Sequence, residues 1–196
     1  STSSVTYTES PAAVTTTQTV TGLVNSETAT VTTTYTGNSC EYGGTCAIGD
    51  VAPGGGYVFY VSPTTINVAT GISTGGIYLA TAPQTWSGAA ADPTAKWGCD
   101  SQISGTFSSA VGSGAENTRL INAGCATAGI SSRLAADSSA EGFTDWFMPS
   151  IGELNLIYSN LKLSGLSNLN GSDYWSSTQD ASSPSSYAQY QWFGGG

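Results

Sequence analysis

The sequence predicts an α+β protein preceded by a Thr-rich all-β segment, and three observations carry that reading. Residues 1–37 alternate with period two: Val5 and Tyr7, then Val14, Thr16, Gln18 and Val20, then Ala29, Val31, Thr33 and Tyr35. Residues 145–162, DWFMPSIGELNLIYSNLK, change to the helical period, with Ile151, Leu154, Ile157, Tyr158 and Leu161 on one apolar stripe. The remaining apolar residues fall in short aromatic and β-branched runs between Gly-, Ser- and Pro-rich stretches, as strands joined by loops do.

In chain order, Ser10-Pro11 and Asn25-Ser26 supply turns between three N-terminal strands. Strands of Thr and Val bury little by themselves. Residues 1–38 are therefore expected to pair with the following domain, with another copy of the chain, or with another part of a longer parent. Ser1 and Gly194-Gly195-Gly196 read as cuts through such a parent. The second domain is expected over residues 39–196. Within it, Gly54-Gly55-Gly56 leads into a strand over 57–61. Neither a helix nor a Lys follows that run, so it is a tight backbone turn rather than a phosphate cradle.

A second strand is expected over 77–80, then a loop-rich stretch punctuated by Trp86, Trp97 and Cys99. Helices follow over 115–126, with Glu116 in the first turn, and over 130–136. Trp146-Phe147-Met148 reads as a short strand stopped by Pro149. Ser150 then caps the stripe-bearing helix, and Glu153 completes the capping box. After Asn170-Gly171 come YWSST at 174–178, a Ser/Pro loop, and a final strand in SYAQYQWF at 186–193.

Charge and composition exclude several functions. The formal net charge is −9, and the four basic residues Lys96, Arg119, Arg133 and Lys162 are scattered. Nucleic acid and anionic membrane surfaces are therefore poor partners. No apolar run suits membrane insertion. Histidine is absent, which removes Ser-His-Asp and Cys-His catalysis and every imidazole metal site. Four cysteines without CxxC spacing read as disulfides of an extracellular or cell-surface protein. They allow three connectivities, and the expected one joins Cys40 to Cys46 and Cys99 to Cys125.

Six blocks occur in one order: IGDVAPGGGYVFYV, APQTWSG, DPTAKWGC, GAENTRLINAGCATAGI, FTDWFMPSIGELNLIY and YWSST. In that order they resemble the Legionella-collagen-like (Lcl) C-terminal domain family, over roughly residues 46–193. The resemblance implies a C-type-lectin-like fold, related to formylglycine-generating enzymes: a small twisted antiparallel sheet, two or three helices and long loops. It also implies a surface or secreted adhesion module. Similar domains form phage receptor-binding tips. The family's closing basic strand has no counterpart before Gly196, and the namesake's polyanion binding has no counterpart in four scattered cations. Upstream, VTGLVNSETATVTTTYTG resembles the closing strands of bacterial immunoglobulin-like modules.

The expected function is non-catalytic recognition of a glycan or a surface protein; the alternative is a structural subunit of an extracellular fibre or phage tail fibre. Asp145, Glu153 and Asp173 are the nearest acid–base candidates, and each has an ordinary turn, cap or loop role. Sugars are held by stacking on rings and by planar hydrogen bonds. That chemistry selects Tyr174, Gln179, Tyr187, Gln189 and Gln191, and secondarily Trp86 and Trp97 in the 84–105 loop. Trp175 and Trp192 are expected in the core. No cofactor is expected; a Ca²⁺ ion would have to be held by Asn170, Asp173 and Asp180.

Overall fold

The computed structural model describes residues 2–9, 12–19, 40–41, 44–66, 77–89, 91–99, 103–105, 107–166, 169–183 and 187–194. It is mixed α and β, built from small antiparallel strand pairs and a few short helices. Strand β1 (Thr2–Glu9) pairs with β2 (Ala12–Thr19), from Glu9 opposite Ala12 to Thr2 opposite Thr19. These are two of the three strands expected at the N-terminus. The third, near 29–35, and the boundary at 38–39 lie outside the described residues.

The capping box forms as its spacing predicts. Helix α3 (Ile151–Ile157) starts at Ser150, whose hydroxyl accepts the Glu153 amide at 3.2 Å, while Glu153 Oε2 accepts the Ser150 amide at 2.7 Å. The helix then widens into a π-turn, Tyr158–Lys162. Leu154, Ile157 and Leu161 of the predicted stripe are buried, against Phe59, Ile66, Leu79 and Phe193. Each such side chain contributes on the order of 1.5–3 kcal/mol on burial.

Strand β3 (Val58–Val61) pairs with β4 (Tyr78–Ala80), and β5 (Asp173–Gln179) with β6 (Ala188–Trp192). Among the described residues the single small sheet expected from the family resemblance is two separate ribbons. Helix α3 explains the split: its stripe packs on Phe59 and Leu79 of one ribbon and on Phe193 at the end of the other. The glycine turn before β3 is a close approach as well. A Cβ on Gly56 would collide with the Thr81 carbonyl oxygen, so only glycine fits.

Helix α1 (Gly114–Gly124) and α2 (Ser131–Ala136) stand within a residue or two of their predicted bounds. Arg133 of α2 donates to the Asn122 and Cys125 carbonyls at 2.9 and 2.8 Å, placing a cation at the C-terminal end of the α1 dipole. Both expected disulfides are present, Cys40–Cys46 and Cys99–Cys125. The expected strand at 146–148 is not one. The Met148 amide donates to Thr118 Oγ1 at 3.1 Å, and the Thr118 hydroxyl lies 3.2 Å from the Met148 carbonyl. Its neighbour is helix α1, and among the described residues no strand pairs with it.

The hydroxyls of β5 knit these layers together. The Ser177 amide donates to Pro149, the Ile151 amide to Thr178 Oγ1, and Thr178 Oγ1 to the Ser108 carbonyl. Asn117 completes the network, its amide donating to Ser108 O at 2.8 Å and Ser177 Oγ at 3.3 Å. Burying so many small polar residues is tolerable because each is paired.

Candidate binding cleft

The loop 81–99 between β4 and α1 turns tightly at its start, where the Trp86 amide donates to Pro83 O and that of Gly88 to Thr85 O. The turn brings the Trp86 indole back onto Asp92, donating to Oδ1 at 2.7 Å. Tyr174 of β5 reaches the same carboxylate from the far side and donates to Oδ2 at 2.9 Å. Its hydroxyl accepts the Asn170 amide at 3.1 Å, and its ring lies edge-on to Phe193 at 5.0 Å. Two segments distant in sequence, the 81–99 loop and β5, thus converge on one carboxylate.

Around them opens a cleft of about 470 Å³, lined by Tyr57, Trp86, Trp146, Tyr174 and Trp175, with Leu154 and Ile157 of α3. That volume suits a small ligand, and aromatic walls with a few fixed polar groups are the usual composition of such sites. Among the described residues Asp92 and Asp173 are the only charged ones lining it. Burial first, then the Asp92 charge and hydrogen bond, push the Tyr174 hydroxyl up to about 12. It therefore stays a donor at any physiological pH. Among the described residues Asp92 Oδ1 accepts from Trp86 and Oδ2 from Tyr174, and a carboxylate oxygen has lone-pair capacity for a second donor.

Two of the seven predicted ligand residues, Trp86 and Tyr174, line this cleft; the other five do not. Trp97 is a scaffold residue, its indole donating to Ser176 O at 2.7 Å and its ring edge-on to Phe107. Gln179 is buried, because β5 runs beneath α1 and α3 at that end. Gln189 and Gln191 are half-buried on the inner face of the ribbon, and Tyr187 stands exposed before β6. Trp175 and Trp192 are not core residues: both are exposed, at 40% and 56%. The ribbon register accounts for this, since it puts Asp173, Trp175, Tyr190 and Trp192 on the face turned away from α3.

Of the acid–base candidates, Glu153 caps helices and Asp173 lines the cleft. Among the described residues no group of three His, Cys, Asp or Glu gathers where a metal would bind. Asp180 accepts from Ser182 and Ser183 in its own turn. Also among the described residues, no helix is long and apolar enough to cross a membrane. The sequence reading missed Asp92 and Trp146. Asp92 lies 82 residues from Tyr174, and no local pattern announces that contact. Comparison with protein-family models, curated proteins and solved structures finds no match for this chain.

Proposed function

We propose that residues 39–196 are a C-type-lectin-like, Lcl-related module of an extracellular or cell-surface protein. It acts without catalysis and holds a glycan in the cleft around Asp92. One observation carries the reading: an acceptor carboxylate, fixed from two sides by Trp86 and Tyr174, sits among aromatic walls. A sugar ring has the matching chemistry, with hydroxyls to donate to the carboxylate and C–H faces to lie on the rings. The two disulfides support an oxidising setting. The absence of any basic residue from the cleft lining supports a neutral ligand over an anionic one. Arg119 is paired with Glu116, Arg133 caps α1, and Lys162 donates to the Leu169 carbonyl.

The test is a glycan array probed with the full chain, then titration calorimetry on the strongest neutral hit. Trp86→Ala should weaken that hit at least tenfold. Unchanged affinity would remove the cleft from consideration, and turnover of the glycan on prolonged incubation would make the module an enzyme. A second reading, a fibre subunit assembled by strand pairing, is favoured by one feature: among the described residues β6 pairs only with β5. Light scattering tests it, since a monomer at micromolar concentration has no such assembly.

A further inference from the structure

Trp175 belongs to the cleft wall and also to the outer face of the β5–β6 ribbon, opposite Tyr190. One register step along, Asp173 stands opposite Trp192. Tyr190 and Trp192 are each 56% exposed, so three neighbouring rings face solvent beside the cleft mouth. Scattered exposed apolar residues are ordinary; a contiguous aromatic row is not.

The rings are held in place. The Trp175 indole donates to the Ala95 carbonyl at 3.2 Å, and Tyr190 meets Trp175 edge-on with centroids 6.1 Å apart. Trp192 lies so close on Gly194 that a Cβ there would collide with the indole. Rings immobilised before binding lose little rotamer freedom when a ligand arrives. Asp173 supplies a hydrogen-bond acceptor on the same face.

We propose that an uncharged, β-linked polysaccharide of the glucose or N-acetylglucosamine type runs from the cleft across this face. This rests on the glycan reading of the cleft. Such sugars carry their hydroxyls equatorially, leaving flat C–H faces above and below each ring. Their β-linkage keeps the chain extended enough to follow a row of side chains spaced about 7 Å apart along a strand. An acidic polymer would meet Asp92, Asp173 and a net charge of −9. A short glycan would fill the cleft and leave the outer rings bare.

The experiment is calorimetry on the full chain with cello- and chito-oligosaccharides, from the disaccharide to the hexasaccharide. Wild type should gain about tenfold or more in affinity with chain length. Tyr190→Ala/Trp192→Ala should lose that gain, and Trp192→Ala alone, which keeps the Trp175–Tyr190 contact, should bind the disaccharide as wild type does. The exposed positions make the double variant foldable, which its circular dichroism checks; the single Trp192→Ala should lose part of the gain. Whichever series binds separates a glucan from an N-acetylglucosamine polymer. A full chain-length gain in the double variant overturns the proposal while leaving the cleft reading intact. No binding of either series by wild type overturns the proposal, and Trp86→Ala without effect on a bound disaccharide overturns both. Self-association that the double variant abolishes would assign the face to a second copy and overturn the proposal as well.

Discussion

Replacing Glu153 with Ala should destabilise the fold far more than an ordinary helix cap does. Its carboxylate is fully buried, with Oε2 on the Ser150 amide at 2.7 Å and Oε1 on the Gly112 and Gly114 amides at 2.7 and 3.4 Å. One side chain therefore caps α3 and ties down the chain entering α1. A Cβ on Gly114 would collide with this carboxylate, so the two elements meet directly. Removing it strands the buried Ser150 amide and the part-buried Gly112 amide, at about 1–3 kcal/mol each. The long Gly114 contact adds less, and release of the desolvated carboxyl offsets some of the loss. The expected cost is about 3–5 kcal/mol.

Glu153→Gln keeps the shape and separates charge from packing. Burial raises the Glu153 carboxyl above its ordinary value, against the lowering effect of its backbone donors. The folded state then binds the proton more tightly than the unfolded one, which titrates near about 4.3. The Glu153 contribution is thus fully present below the unfolded value and declines as pH rises through the folded one. Wild type's advantage over Glu153→Gln should shrink across that window. Urea denaturation followed by tryptophan fluorescence, from pH 4 upward, measures both quantities. A cost below about 1 kcal/mol for Glu153→Ala would refute the double-cap argument. An advantage over Gln that grows with pH would show that the amides outweigh burial.

Further outcomes can be checked by similar means. Leu154→Ala should cost about 2–5 kcal/mol by opening the space between the ribbons, and Ser150→Ala about 1–2 kcal/mol, both by denaturant midpoint. Reducing Cys99–Cys125 should cost about 3–4 kcal/mol on the loop-entropy account, since it closes a 26-residue separation; calorimetry with and without reductant reads this. Tyr174→Phe leaves an Asp92 oxygen and the Asn170 amide each short of a partner. It should weaken glycan binding several-fold and cost about 1–2 kcal/mol of stability. Replacing Tyr187, Gln189 and Gln191 together by Ala should leave cleft affinity unchanged on the same calorimeter, because none of them lines the cleft.

The sequence by itself determined what depends on neighbours along the chain. Ser150 and Glu153 are three residues apart, and any helix starting there brings them together. Helical spacing likewise places Leu154, Ile157 and Leu161 on one side, and the Gly54–Gly56 run announces a tight turn, although the Thr81 carbonyl that makes Gly56 necessary comes from β4's end. The cysteine pairing followed proximity, and the outcome agrees. Strand alternation also divided the residues of β6 correctly into two faces.

Which face turns outward was a tertiary decision. Alternation is symmetric, and helix α3 covers one side of the ribbon, so Trp175, Tyr190 and Trp192 were left to solvent while Gln189 and Gln191 went beneath. Burial of Gln179 has the same origin. Asp92 shows the limit most plainly. A single aspartate in a Pro- and Ala-rich loop has no periodicity and no motif; its loop neighbour Trp86 takes one oxygen of its carboxylate, and only folding carries Tyr174, 82 residues away, to the other. Glu153 sits between these cases: its cap was written locally, whereas its hold on Gly112 and Gly114 came from α1 packing across α3. Local geometry is encoded within a turn or two of chain; the pairing of distant polar groups is fixed by which surfaces the core forces together.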